Sequence, residues 1–204
     1  MKSKALAKSS LQVLPAEPRH WPDLKDFFAN IPCSCQYWRQ TSSEYGRASK
    51  DETIAVWQRK RQAALRQQLA GATPPGVIAY QDGRLVGWCG FGPRSEMGRL
   101  VRSRTIPKVD DLPVWSIVCF LVKVGFRRQG VTAALLQGTI ACARSHGVPA
   151  LEAYPVDPAG KRISGVFAYV GLASTFERAG FQRVVQTVAH SAGLPRWLMR
   201  LDLA

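Results

Sequence analysis

The sequence contains no apolar stretch long enough to span a bilayer, and Met1 to Ser10 lacks the apolar run and small-residue cleavage site of a secretory signal. Neither a membrane protein nor an exported one is expected, and the reading is cytoplasmic. Acidic residues are scarce, with 14 Asp and Glu against 28 Lys and Arg and a formal charge of +14. That balance favours polyanionic company, either nucleic acid or an anionic cofactor, and charge alone does not choose between them. The five cysteines, Cys33, Cys35, Cys89, Cys119 and Cys142, are odd in number and irregular in spacing, which suits reduced thiols better than a disulfide framework. Cys33 and Cys35 form a CxC with no histidine close by in sequence, the nearest being His20, so zinc is the weaker reading of that pair. There is no internal repeat, heptad run or low-complexity tract, so solenoids and coiled coils drop out.

What remains is a chain of 204 residues, 46% apolar, with six Trp and eight Phe, enough for a real core in one folded unit. Residues 1–10, with Lys2, Lys4 and Lys8, read as a basic flexible tail, and 11–204 as a single domain. The other basic residues fall in groups: Arg59, Lys60, Arg61 and Arg66 on one predicted helix; Arg94, Arg99, Arg102, Arg104 and Lys108 in one loop; Arg127 and Arg128 at one helix start. Most of these are expected to be solvated faces.

Leu11 to Leu14 reads as a short strand closed by Pro15, and Pro22 to Ala29 as a short helix with proline in its first turn. Asn30 to Ser49 reads as irregular and rich in Cys, Tyr and Trp, and Asp51 to Ala70 as a helix stopped by Gly71. Asp82-Gly83 between Val77–Tyr80 and Leu85–Phe91 is a hairpin signal. Val114 to Val124 is a nearly continuous apolar run, as in a central strand buried on both faces. Val131 to His146 has helical apolar spacing and ends at Gly147, Val148 to Tyr154 is the next strand, and Val170 to Ala179 is a short helix stopped by Gly180. Strands at Phe181–His190 and Trp197–Leu201 complete an α/β (α+β) pattern, a mixed sheet with helices on it.

The segment most informative of chemistry is the loop Gly125-Phe126-Arg127-Arg128-Gln129-Gly130-Val131-Thr132, between the buried strand and a helix. Small residues admit a ligand to the backbone, while the free N–H groups and positive dipole end of the helix converge on what a pyrophosphate needs. An ordinary tight turn with exposed arginines is the plain alternative. On the following strand, Glu152 and Tyr154 lie two apart and so on one face. The plainer reading of the pair is an arginine-paired carboxylate and a packed ring.

This loop resembles the R/Q-x-x-G-x-G/A signature of the GNAT N-acetyltransferase superfamily. Arg127, Gly130 and Val131 match it, and Thr132 stands where Gly or Ala is usual. Phe176-Glu177-Arg178-Ala179-Gly180-Phe181 is similar to the family's Y-E-x-x-G-F element, and with the element order the resemblance covers roughly Val77 to Leu201.

The resemblance implies the GNAT fold: a mostly antiparallel mixed sheet, flanked by helices, whose central parallel strands, here Val114–Val124 and Val148–Tyr154, splay apart around acetyl-CoA. It implies pantetheine contacts with the backbone of Leu121, Val122 and Lys123. The diphosphate would lie on the N–H groups of Arg128, Gln129, Gly130, Val131, Thr132 and Ala133, with help from the Arg127 and Arg128 side chains. Phe176 belongs to the cofactor side but has no proton to give where many members keep a tyrosine acid, and Ser116 stands where a histone-type member has its catalytic glutamate. The expected activity is direct acetyl transfer to the primary amine of a small molecule by a monomer or homodimer with no membrane attachment. That chemistry needs a base for the ammonium and an acid for the thiolate, and Glu152 and Tyr154, close to where the strands should part, are the candidate base and acid. Transfer to a protein lysine or aminoacyl-tRNA, or a silent acyl-CoA sensor, are the alternatives, and nucleic acid stays open as a partner.

Overall fold

A computed structural model describes residues 11–31, 33–46, 53–161, 163–164 and 168–203. The predicted basic tail, 1–10, lies outside the described residues, as do Asp51 and Glu52 at the predicted start of the long helix. Seven strands form one sheet in the order β1-β2-β3-β4-β5-β7-β6. They are β1 (Leu11–Pro15), β2 (Gly76–Gln81), β3 (Arg84–Pro93), β4 (Trp115–Val122), β5 (Ala150–Ala153), β6 (Gln182–Ser191) and β7 (Leu194–Asp202). Every neighbouring pair is antiparallel except β4 and β5, which run parallel.

Local chemistry accounts for most of this. Asp82 and Gly83 take φ of 50° and 73° in the hairpin between β2 and β3, the left-handed pair that a tight two-residue turn requires. Six successive residues of β4, Trp115 to Phe120, are buried, so the continuous apolar run of the sequence is a strand covered on both faces.

Helices α1 (Trp21–Phe27), α3 (Ile54–Leu69) and α4 (Gly98–Val101) lie on one face of the sheet, where Leu24, Leu65 and Leu100 join Phe28, Ile78, Trp88, Val118, Tyr154 and Leu198. Helices α5 (Val131–Ser145) and α6 (Ala173–Arg178) cover the other, through Leu135, Leu136, Ile140 and Phe176 against Ile117 and Phe120. Each such large side chain contributes about 1.5–3 kcal/mol by leaving water, which is why this alternation of faces outweighs local propensity.

Two expectations are corrected. The segment read as irregular contains a short helix, α2 (Ser42–Gly46), with Thr41 Oγ1 accepting from the Glu44 N–H and the Glu44 carboxylate accepting from the Thr41 N–H. The helix expected over Val170–Ala179 starts later, at Ala173. Gly171 takes φ of 84° there, which breaks the chain between a single helical turn at Ala168–Val170 and α6.

The parallel pair is short. Only Trp115↔Leu151, Ser116↔Glu152 and Ile117↔Ala153 share rungs. β4 then runs on to Val122, while the other chain meets Pro155, which has no N–H to donate, and Val156, which bridges instead to Leu172 and Arg196.

Candidate active site

The first turn of α5 sits tightly on β3. A Cβ at Gly87 would come within 2.8 Å of the Val131 Cγ1, so glycine there lets the helix start approach the sheet beside β4. The loop before it reverses through Arg128 and Gly130, at φ of 62° and 82°. Gly130 is the N-cap and has no side chain to cap with. The first helical bond runs from the Ala134 N–H to the Gly130 carbonyl at 3.0 Å, so the N–H groups of Val131, Thr132 and Ala133 have no acceptor within the helix. They share the positive end of a 15-residue helix dipole. Arg127 Nε donates to the Val122 carbonyl at 3.1 Å, which ties its guanidinium to the open edge of β4. The Lys123 N–H donates to Val86 on β3, so by strand alternation the N–H and carbonyl of Val122 face the opening between β4 and β5.

Two adjoining cavities follow that opening. One, of about 220 Å³, runs over Phe120, Leu121 and Val122 to Tyr169, Gly171 and Leu172; the other, of about 290 Å³, lies at the helix start against Arg127, Arg128, Gly130 to Ala133 and Arg178. They share Val122, Arg127, Thr132 and Thr175, and no carboxylate lines either. An apolar channel leading to unpaired N–H groups and arginines suits a long ligand with an anionic end. A larger depression of about 370 Å³, against Leu14, His20, Asp23 and Tyr80, lies away from both the helix start and the parted strands.

Of the residues read as cofactor contacts, Leu121, Val122, Arg127, Arg128, Gly130, Val131, Thr132 and Ala133 line these cavities. Gln129 does not: its amide donates to the Gly125 carbonyl at 2.9 Å and braces the loop. Lys123 is exposed, with its ammonium 5.7 Å from the centre of the Phe27 ring. Phe176 is fully buried and lines neither cavity, its ring edge-on to Phe120 and Phe181 at 5.9 and 5.1 Å. Thr175 and Arg178, beside it on α6, reach the cavities instead. Their place in the element around Phe176 was a signal the sequence reading did not use.

Glu152 and Tyr154 are brought together, on the face opposite α5. Both are 1% exposed. The Tyr154 hydroxyl lies 2.9 Å from Glu152 Oε2 and 2.9 Å from Ser116 Oγ. Glu152 Oε1 accepts from Arg200 Nη2 at 2.6 Å, and Arg94 Nε lies 3.6 Å from Oε2. Arg200 also pairs with Asp110; the Asp110 hydrogen bond first, opposed by burial, then the Glu152 bond, hold its pKa above the ordinary arginine value. Burial first, and the Glu152 charge second, push the Tyr154 hydroxyl above the usual tyrosine range, so it stays protonated and donating. Arg94 and Arg200, distant in sequence, give no local sign of this contact.

The CxC loop folds onto the same face. Ser34 and Cys35 take φ of 43° and 58°, which turns Cys35 into the core beside Cys119 of β4. A hydrogen bond from the Cys119 thiol outweighs burial and, with the Arg39 charge, brings Cys35 down to about 7, while Cys119 is pushed well up. Among the described residues no cluster of three or more His, Cys, Asp or Glu could hold a metal ion, and no helix is long and apolar enough to cross a membrane.

The acetyltransferase (GNAT) family profile matches residues 37–163. The chain belongs to the GNAT acetyltransferase family. Solved GNAT-type structures share its fold at low identity. An N-acetyltransferase from Staphylococcus aureus Mu50 is 15% identical, with TM-score 0.55 over 96% of this chain and 100% of that one. A putative acetyltransferase from Salmonella typhimurium, solved with its cofactor acetyl-CoA, is 14% identical, with TM-score 0.55 over 95% and 94%. A ribosomal-protein-alanine N-acetyltransferase from Brucella melitensis is 17% identical, with TM-score 0.54 over 94% and 99%. No curated protein matches. The seven-stranded sheet with its parted parallel pair is the GNAT fold that the sequence motifs implied.

Proposed function

We propose that this GNAT protein transfers acetyl from acetyl-CoA directly to the primary amine of a small molecule. The observation that carries the reading is the continuity of the β4 opening with the N-terminus of α5. An apolar channel for the pantetheine arm ends on three unpaired N–H groups and the arginines a diphosphate needs. Arg127, Arg128 and Arg178 would hold the phosphates, and the N–H of Val122 would pair with the arm while its carbonyl stays with Arg127. Bound there, acetyl-CoA would supply the thioester carbon that the amine nitrogen attacks, the C–S bond giving way as C–N forms and the amine proton ending on the sulfur.

The protein's own part is chiefly placement. Glu152 has both oxygens engaged by arginine and tyrosine, so we read it and Tyr154 as the rigid floor of the acceptor side, which positions a neutral amine. The alternative assignment, Glu152 as base and Tyr154 as acid through their shared hydrogen bond, is separated from this one by the variant discussed below. Tyr169 lines the cavity of about 220 Å³ and the Tyr37 and Trp38 rings meet edge to face at 5.2 Å on the loop before α2; we read these aromatics as favouring a small acceptor. The exposed Arg102, Arg104 and Lys108 are the observation that favours a second reading, a macromolecular acceptor such as a protein lysine or aminoacyl-tRNA.

Release of free CoA from acetyl-CoA across a panel of small amines tests the reading. Turnover of at least one small amine is the expected result. A protein that binds RNA with steep salt dependence and releases CoA with no small amine would reverse the choice.

A further inference from the structure

Arg196 on β7 is 5% exposed, yet no carboxylate pairs with it among the described residues. Its Nε donates to the Tyr154 carbonyl at 2.8 Å, and its guanidinium carbon lies 5.4 Å from the centre of the Trp38 ring. Neither terminal nitrogen makes a hydrogen bond to a described residue. Arg94 and Arg200, by contrast, have Glu152. A guanidinium largely out of water without an acid is costly, and an anion arriving at its free edge would offset that cost.

Its place says which anion. Tyr154 follows the last shared rung of β4 and β5, so the Tyr154 carbonyl fixes Arg196 where the strands part. Tyr169, which lines the channel of about 220 Å³, and Tyr37 lie within electrostatic reach of Arg196. Arg99 stacks 4.2 Å over Tyr37 and adds positive potential on the same side. The group thus lies beside the point where the strands part, over the Trp38 ring and on the side of Tyr169, the residue of this group that lines the channel. The free edge of a guanidinium is a planar fork that matches a carboxylate with two parallel hydrogen bonds.

We infer, resting on the acetyl-transfer reading, that Arg196 receives a carboxylate of the acceptor, so that the acceptor is an amine of the amino-acid type. The aromatic enclosure and near-complete burial of Arg196 disfavour a polyanion's backbone as its partner.

The test compares free alanine, glutamate, phenylalanine and lysine with their own carboxamides as acceptors, in wild type, Arg196→Met and Arg196→Lys. Wild type should prefer one or more free acids by roughly tenfold or more in kcat/KM, mostly through KM, as expected for a charge-assisted pair. In Arg196→Met that ratio should fall towards one, and Arg196→Lys should recover part of it. The thermal shift given by acetyl-CoA, retained in both variants, shows that they fold and load. The preferred acid alone should raise the melting temperature of wild type and not of Arg196→Met. Carboxamides acetylated as well as acids by wild type, or a preference that survives Arg196→Met, overturn the assignment of Arg196 alone. If no amine of any kind is acetylated while acetyl-CoA still binds, the transfer reading fails and this inference fails with it.

Discussion

The Tyr154 hydroxyl donates to Glu152 Oε2 at 2.9 Å, and the same carboxylate is held by Arg200 at 2.6 Å. Two residues picked out as acid and base because they share a strand face are thus bound to each other and sealed. Glu152→Gln should leave Arg94 without its counter-charge and Arg200 with Asp110 alone, and lower stability by about 3–5 kcal/mol, measurable by urea unfolding. Turnover per folded molecule should change far less. Unchanged stability with a rate lowered about 10²–10⁴-fold would restore Glu152 as the base.

Gly130→Glu should abolish the rise in melting temperature that acetyl-CoA gives wild type, because a carboxylate would stand at the N-terminus of α5 where the diphosphate is proposed to lie. A Cβ at Gly130 meets nothing within 4 Å, so the fold should survive apart from about 1 kcal/mol for a side chain at positive φ. Gly130→Ala should retain the shift. Equal acetyl-CoA binding by wild type and Gly130→Glu would remove this loop from the cofactor site.

Phe176→Tyr should keep or raise kcat. The ring's Cζ lies 3.3 Å from where a Gly171 Cβ would stand, and Gly171 lines the channel, so a hydroxyl there projects to the channel wall. Some loss of melting temperature is expected from crowding at Gly171. Loss of turnover with acetyl-CoA binding intact would assign Phe176 to packing that the site depends on.

Cys35 should ionise near pH 7, seen as thiolate absorbance at 240 nm and absent in Cys35→Ala. Its folded value of about 7 lies below the ordinary 9.0, so the thiolate stabilises the fold fully above pH 9, and that contribution is lost as pH falls through about 7. Wild type should therefore gain stability over Cys35→Ala between pH 7 and 9. Cys119→Ala removes the donor, leaves burial dominant and should move the transition upward; a transition that stays in place would discount the thiol pair.

What the sequence made legible was local. Asp82-Gly83, Gly130 and the apolar run of β4 each act through neighbours a few residues away, so the hairpin, the helix start and the buried strand are readable in order. The helix break at Gly171 was missed because glycine before a short apolar helix looks like any small residue until its φ is known. The partners of Glu152 could not be read, since Arg200 is 48 residues further on and meets it only after β5 and β7 pair. Arg196 is likewise ordinary in sequence and unusual only once its neighbours turn out to be rings rather than acids.

Mechanically, the sheet is two panels on a short hinge line. Strands β1 to β4 form one panel and β5 to β7 the other, and three rungs of backbone pairing are all that join them across the sheet. A pantetheine arm bonded along Val122 would act as a temporary strand in the gap, so the loaded protein would be stiffer across that line than the empty one. Amide exchange from Val118 to Val122 would slow on loading and quicken on CoA release, and the two panels would tighten and relax once in every catalytic cycle.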